Sequence, residues 1–272
     1  PGKRTHRILV IDDSFSMGYR VTDRDRFERA KQVALAILQD ARKGDAASLV
    51  LMAAPPKVVV GDPSANLSAV ADEVRSLELL HGGTDLAATL AKVEDILTAS
   101  TLDQKEIYFI TDLQKAGWAA NTGTAAVPLQ ALAAKIAAQA NLVVIDLGQG
   151  SADNLAVTSF DLEEPFVTAG RDSRLSATLR NFGRTNRTGL AVTLSVDGSV
   201  QDRRSVDLPA GEEMTLVLSH SFPAPGWHLV EVHLEDDALA IDNHRWLAVT
   251  AKEHVEVLLV DGEPSGERFG SE

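Results

Sequence analysis

"HRILVIDDSFSMGYR", residues 6–20, runs four apolar side chains (Ile8 to Ile11) straight into Asp12, Asp13, Ser14, Ser16 and Gly18. A short run with no polar interruption suits a parallel strand buried on both faces. The cluster that follows has two readings. Asp and Ser favour turns and helix caps. They are also hard oxygen donors, the kind a magnesium ion takes. The rest of the chain decides between them.

Downstream, "TDRDRFERAKQVALAILQDARKG" (22–44) spaces Phe27, Ala30, Val33, Ile37 and Ala41 as one face of a helix. Thr22 and Asp25 read as a capping box, and Gly44 as the stop. "SLVLMA" (48–53) and "KVVV" (57–60) read as strands, separated by Pro55 and Pro56. Leu67, Val70, Val74 and Leu77 mark a second helix; Leu86, Leu90, Val93 and Leu97 mark a third. "EIYFI" (106–110) is a strand, "PLQALAAKIAAQ" (128–139) a helix and "LVVIDL" (142–147) a strand. Strands alternating with helices predict an α/β fold, a doubly wound, mostly parallel sheet.

From about residue 153 the helical period gives way to alternation. "RLSATLRNFG" turns Leu175, Ala177 and Leu179 to one side, and "VTLSVDGSV" places Asp197-Gly198 at a hairpin turn. "MTLVLSHSF" and "HLVEVHLED" alternate too, with Gly or Pro at almost every tenth residue. An antiparallel, immunoglobulin-like sandwich of about seven strands is expected. The expected division is an α/β domain over 1–150 and a β-sandwich over 151–252, joined at "GQGSADN" (148–154). Residues 253–272 follow, where "VEVLLV" (255–260) reads as a last strand or the opening of a further domain. Starting at Pro1 and ending in "GERFGSE", the chain reads as a piece of a longer protein, with any signal or anchor outside it.

Composition narrows the function classes. The 272 residues are 44% hydrophobic and 24% charged, ample for a core, with aromatics at 5%. A net charge of -13 argues against a nucleic-acid partner, which needs clustered Lys and Arg. No cysteine is present, so disulfides, zinc-thiolate sites and thiol catalysis are excluded. No apolar run reaches the roughly 20 residues that cross a bilayer.

In open parallel sheets, ligands sit at the carboxyl ends of strands. Asp12, Ser14 and Ser16 follow the first strand, Thr84 in "HGGTDL" precedes the third helix, and Asp112 in "YFITDL" ends a later strand. Two carboxylates and three hydroxyls, all hard oxygens, suit magnesium, which keeps several waters.

Asp12-x-Ser14-x-Ser16-Met17, Gly83-Thr84-Asp85 and the "ITD" ending at Asp112 resemble the metal-ion-dependent adhesion site of von Willebrand factor A domains. The resemblance covers about residues 6–148. It implies Mg2+ (Mn2+ or Ca2+ as alternatives), with Ser14, Ser16 and Thr84 as inner ligands and Asp12 and Asp112 fixing charge and waters. It also implies a position for an Asp or Glu of a protein partner. Where the family often has glycine after the last aspartate, this chain has Leu113. Asp13 and Asp85 read as loop and helix-start residues.

Residues 154–250 resemble bacterial adhesion-type, CARDB-like sandwich modules. The whole resembles bacterial proteins of the aerotolerance-regulator (BatA) type, which implies a membrane anchor and an extracytoplasmic soluble portion.

Enzyme readings fit less well. A haloacid dehalogenase needs an acidic residue where Ser14 stands. Ser16 lacks a G-x-S-x-G context, and no nucleotide-binding glycine loop follows the first strand. His81 reads as a loop residue; His228, His233 and His244 as surface residues, with no metal assigned; Trp118, Trp227 and Trp246 as packing residues. The expectation is a metal-dependent interaction module without catalysis. The alternative is a scaffold domain with a vestigial site.

Overall fold

The computed structural model describes residues 3–114, 118, 126–148, 153–256, 258 and 260. The chain divides into two compact units, Pro1–Asn154 with Asp236–Ile241, and Leu155–Glu235 with Asp242–Glu272.

The first unit is built on β1 (Thr5–Asp12), a strand buried along its whole length. Around it are β4 (Ala46–Met52), β5 (Lys57–Ser64), β6 (Gln104–Thr111) and β7 (Asn141–Asp146), in the order β5-β4-β1-β6-β7. All neighbours are parallel except β5, which returns antiparallel from β4 at one edge.

Alternation along β1 explains why no polar residue interrupts Ile8 to Ile11. Leu9 and Ile11 pack with Phe27, Ala30 and Ala34 of α1 (Arg26–Gln39) and Val70 and Val74 of α2 (Leu67–Ser76). Ile8 and Val10 pack on the opposite face with Leu90, Val93 and Leu97 of α3 (Leu86–Ala99) and Ile136 of α4 (Ala126–Ala137). The chain leaves β1 toward β4 on one side and later returns to β6 on the other. The strand order therefore reverses between β1 and β6, and their carboxyl ends flank the crevice that such sheets use for ligands.

Thr22 does not cap α1. It sits at φ +71 in the turn between β2 (Arg20–Val21) and β3 (Arg24–Asp25), while Asp25 caps by accepting from Glu28 N at 2.7 Å. The capping pattern thus starts three residues later than Thr22, at Asp25-x-x-Glu28.

The second unit pairs two sheets. One is β13-β10-β8, from β8 (Leu155–Leu162), β10 (Asp172–Asn181) and β13 (Glu213–Ser221). The other is β12-β11-β14-β15-β9, from β9 (Val167–Thr168), β11 (Arg187–Val196), β12 (Ser199–Leu208), β14 (Gly226–Leu234) and β15 (His244–Lys252). Leu175, Ala177 and Leu179 all point into the core, as alternation predicts. Asp197 (φ +51) and Gly198 (φ +78) make the two-residue turn between β11 and β12, the left-handed pair that a tight hairpin needs. Among the described residues eight strands stand where about seven were expected, the extra one being the two-residue β9.

Two expectations meet different outcomes. Val255, Glu256, Leu258 and Val260 form no strand, and Leu258 and Val260 are 87% and 78% exposed. Val257, Leu259 and "DGEPSG" lie outside the described residues, as do Gln149 to Ala152 of the expected joint. No described helix is long and apolar enough to cross a membrane.

Candidate metal centre

The five residues singled out in the sequence occupy the carboxyl edge of the first unit's sheet. Asp12 is the last residue of β1, and Asp112 immediately follows β6, beside it. Ser14 opens the short 3-10 turn Phe15–Gly18, and Ser16 lies within it. A backbone bridge between Ser14 and Gly82, with Phe15 N donating to Gly82 O at 3.0 Å, brings the "HGGTDL" loop alongside. Half-buried Thr84 stands two residues beyond that bridge.

Asp12 is fixed on both oxygens. Oδ1 accepts from Ser14 N at 2.9 Å, and Oδ2 accepts from Thr111 Oγ1 at 2.5 Å. Thr111 in turn accepts from Leu113 N at 3.1 Å, so the loop after β6 sets the aim of the carboxylate after β1. The sequence reading missed Thr111; its position one residue before Asp112 on a buried strand was the available signal. Ser14 Oγ and Ser16 Oγ lie 3.0 Å apart, two hydroxyls facing the same point. Burial pushes the Asp12 carboxyl above its usual range, and the neighbouring Asp112 charge adds to the rise.

Asp112 is held differently. Its Oδ2 accepts from Arg26 Nη1 at 2.8 Å, in an ion pair whose side chains are 3% and 0% exposed. Its Oδ1 is buried without a hydrogen-bond partner. The backbone behind it is crowded by Gly148, where a Cβ would lie 2.3 Å from the Asp112 carbonyl oxygen. Leu113 takes φ +53, a left-handed conformation that glycine adopts without steric cost. The leucine that departs from the family pattern therefore keeps the backbone shape a glycine would allow.

The two neighbouring carboxylates do other work. Asp13 is buried and accepts from Leu80 N at 3.1 Å, and Asp85 caps α3 by accepting from Ala88 N at 2.9 Å. His81 is an exposed loop residue. His6 is fully buried between Ser48 Oγ (2.9 Å) and Ser100 Oγ (3.0 Å), and burial, with Lys105 adding, lowers its pKa to about 4.

In the second unit the tryptophan expectation needs correction. Trp118, in the first unit, packs edge-on against Phe109, with ring centroids 6.2 Å apart. Trp227 and Trp246, by contrast, are 77% and 50% exposed. In β14 the even positions Val230, Val232 and Leu234 face the core, which turns Trp227 and Leu229 outward. The histidines are not scattered either. His233 and His244 are cross-strand partners with rings stacked at 4.0 Å, and His244 Nδ1 lies 2.7 Å from Glu231 Oε1.

Residues 8–115 match the von Willebrand factor type A domain family, and residues 152–243 match CARDB. The chain carries an A domain followed by a CARDB domain. Among curated proteins, none matches the sequence. Solved structures that are distantly similar include the following three. BatB from Bacteroides thetaiotaomicron is 17% identical, with 52% of this chain and 66% of that chain covered, at a TM-score of 0.43. An aerotolerance-related membrane protein from Bacteroides fragilis is 17% identical, with 56% and 71% covered, also at 0.43. A CARDB domain from Pyrococcus furiosus, crystallised in complex with di-metal ions, is 14% identical, with 37% and 89% covered, at 0.33.

The A domain's own donors fit a hard cation. They are oxygens only, one carboxylate is aimed by two hydrogen bonds, and the other keeps a bare buried oxygen.

Proposed function

We propose that the A domain is a divalent-cation-dependent protein-interaction module rather than an enzyme. Asp112 Oδ1 carries this reading: a buried carboxylate oxygen without a partner, beside the strand that ends in Asp12. A buried carboxylate oxygen left without a partner is costly, and a cation is a group that removes that cost. Ser14, Ser16 and Thr84 offer neutral oxygens, while Asp12 and Asp112 supply charge. A bound Mg2+ (Mn2+ or Ca2+ as alternatives) would supply a hard acid with a coordination position for a partner's Asp or Glu. The acidic chain disfavours nucleic acid as the partner.

A second reading draws on Arg26, whose guanidinium already neutralises Asp112. In that reading the domain is a scaffold in a membrane-anchored bacterial protein, with its soluble portion extracytoplasmic and its ion site vestigial. Capture of partners by the whole chain from a source-cell extract, with magnesium and with chelator, separates the two. The interaction reading expects retention that requires magnesium and is lost in Thr84→Ala and Asp112→Ala. Equal retention in chelator favours the scaffold.

A further inference from the structure

Arg26 is an unusual neighbour for a cation site. It is the first residue of α1, the end where the helix dipole favours anions rather than a guanidinium. It is nonetheless 3% exposed, so it is a built part of the interior. Nη1 donates to Asp112 Oδ2 at 2.8 Å and reaches Ser16 O at 3.4 Å. One side chain thus touches two of the three segments that bear the candidate ligands. The Tyr19 ring covers the guanidinium, its centroid 4.5 Å from Cζ, and Arg26 N donates to Tyr19 O at 3.1 Å. This cover excludes water and holds the positive charge in place.

We propose that Arg26 is a resident counter-cation that assembles this site without metal and weakens the metal's hold on it. The inference rests on the cation-binding reading of Asp12, Ser14, Ser16, Thr84 and Asp112. With Oδ2 committed to Arg26, Asp112 has Oδ1 alone to offer an ion. That ion must also approach a buried like charge, which raises its dissociation constant. In exchange, the ion-free domain does not carry Asp112 as an uncompensated buried charge. Arg26 is therefore a positioning residue. It sets how far occupancy follows the ambient cation concentration, and so whether partner capture is switched by that concentration or permanently on.

The test uses the whole chain and Mn2+ alone, with affinity read from the free-ion paramagnetic resonance signal and stability from thermal melting. Arg26→Gln keeps a donor without the charge, and Arg26→Lys keeps the charge. Removing the charge tightens Mn2+ binding by about tenfold or more, while Arg26→Lys stays near wild type. The metal-free melting temperature of Arg26→Gln falls, and its rise on adding Mn2+ exceeds that of wild type. If Arg26→Gln is unfolded without metal, refolding by Mn2+ supports the proposal and failure to refold overturns it. Binding by Arg26→Gln but not by wild type overturns it, because the wild-type chain then has no occupancy for Arg26 to tune. A wild type that binds Mn2+ while Arg26→Gln binds equally or more weakly overturns this inference and leaves the cation site standing. Absence of binding in both chains overturns the two together.

Discussion

The two units bury polar groups in different ways. The A domain encloses His6, Arg7, Asp12, Asp13, Arg26, Asp45 and Asp112, all under 9% exposed. Among described residues, the second unit's buried polar side chains are Ser173, Asn181 and Asn243. Those two amides serve backbone: Asn181 Nδ2 donates to Thr185 O and Leu208 O, and Asn243 Nδ2 to Leu155 O. They are neutral. Of the A domain's buried charges, Asp12, Asp13, Arg26 and Asp112 lie at the carboxyl end of its sheet, where Asp112 Oδ1 is bare, whereas Arg7 and Asp45 pair at the amino end. Buried charge costs more than a buried amide, and the cation-binding proposal rests on that cost at the strand-end crevice.

The same substitution in each unit gives the largest contrast. Gly148→Ala places a methyl 2.3 Å from the Asp112 carbonyl, where backbone has to move. A loss of about 3 kcal/mol is expected, as for a clash that cannot relax through a rotamer. Gly198→Ala meets no atom within 4 Å and bears left-handed strain alone, worth about 1 kcal/mol. Urea unfolding of both variants checks the ranking; a Gly148→Ala chain as stable as Gly198→Ala would remove the packing behind Asp112 from the account.

Next is a contrast in pH. His6 has its folded pKa lowered to about 4, so the folded state resists the proton that the unfolded chain accepts near 6.5. Its contribution is present above 6.5 and is lost as pH falls from 6.5 toward 4, by up to about 3 kcal/mol. His228 in the second unit has the opposite sign, raised by its hydrogen bond to Asp197 at 2.7 Å. Its stabilisation is full below 6.5 and disappears as pH rises through its folded value. That effect is the smaller, because Asp197 is exposed. Melting curves from pH 4 to 8 for His6→Gln and His228→Gln should show the acid-side slope flattened in the first and the neutral-side slope in the second.

The smallest effect concerns two non-glycine residues at nearly the same φ. Leu113→Gly relieves a bulky side chain at +53 and should stabilise by about 0.5 kcal/mol, net of the added freedom of the unfolded chain. Asp197→Gly at +51 should destabilise instead, because its carboxylate accepts from Leu229 N at 2.9 Å and pairs with His228. Equal changes at the two sites would mean that left-handed strain alone governs both.

The fold class was legible because each unit has its own period. Ile8 to Ile11 are apolar without a break since both faces of β1 are covered, and Leu175, Ala177 and Leu179 alternate since one face of β10 is. The candidate site was legible as oxygen-bearing residues at strand ends. Arg26 was not, because a charged residue opening an amphipathic helix reads as solvated, and only the fold brings it 2.8 Å from Asp112 across 86 positions. Thr111 was hidden likewise, as one more β-branched strand residue. Trp227 was misread because aromatic residues suggest a core, although the alternation with Val230 and Val232 already placed it outside.

The central claim is that Ser14, Ser16, Thr84, Asp12 and Asp112 hold one divalent ion. Calorimetric titration of Mg2+ into the whole chain, and into the Ser14→Ala/Ser16→Ala chain, tests it most directly. The account predicts one ion bound per wild-type chain and none by the double variant, with the two chains melting alike in chelator. A wild type that binds no ion, or a double variant that binds as well as wild type, would contradict it.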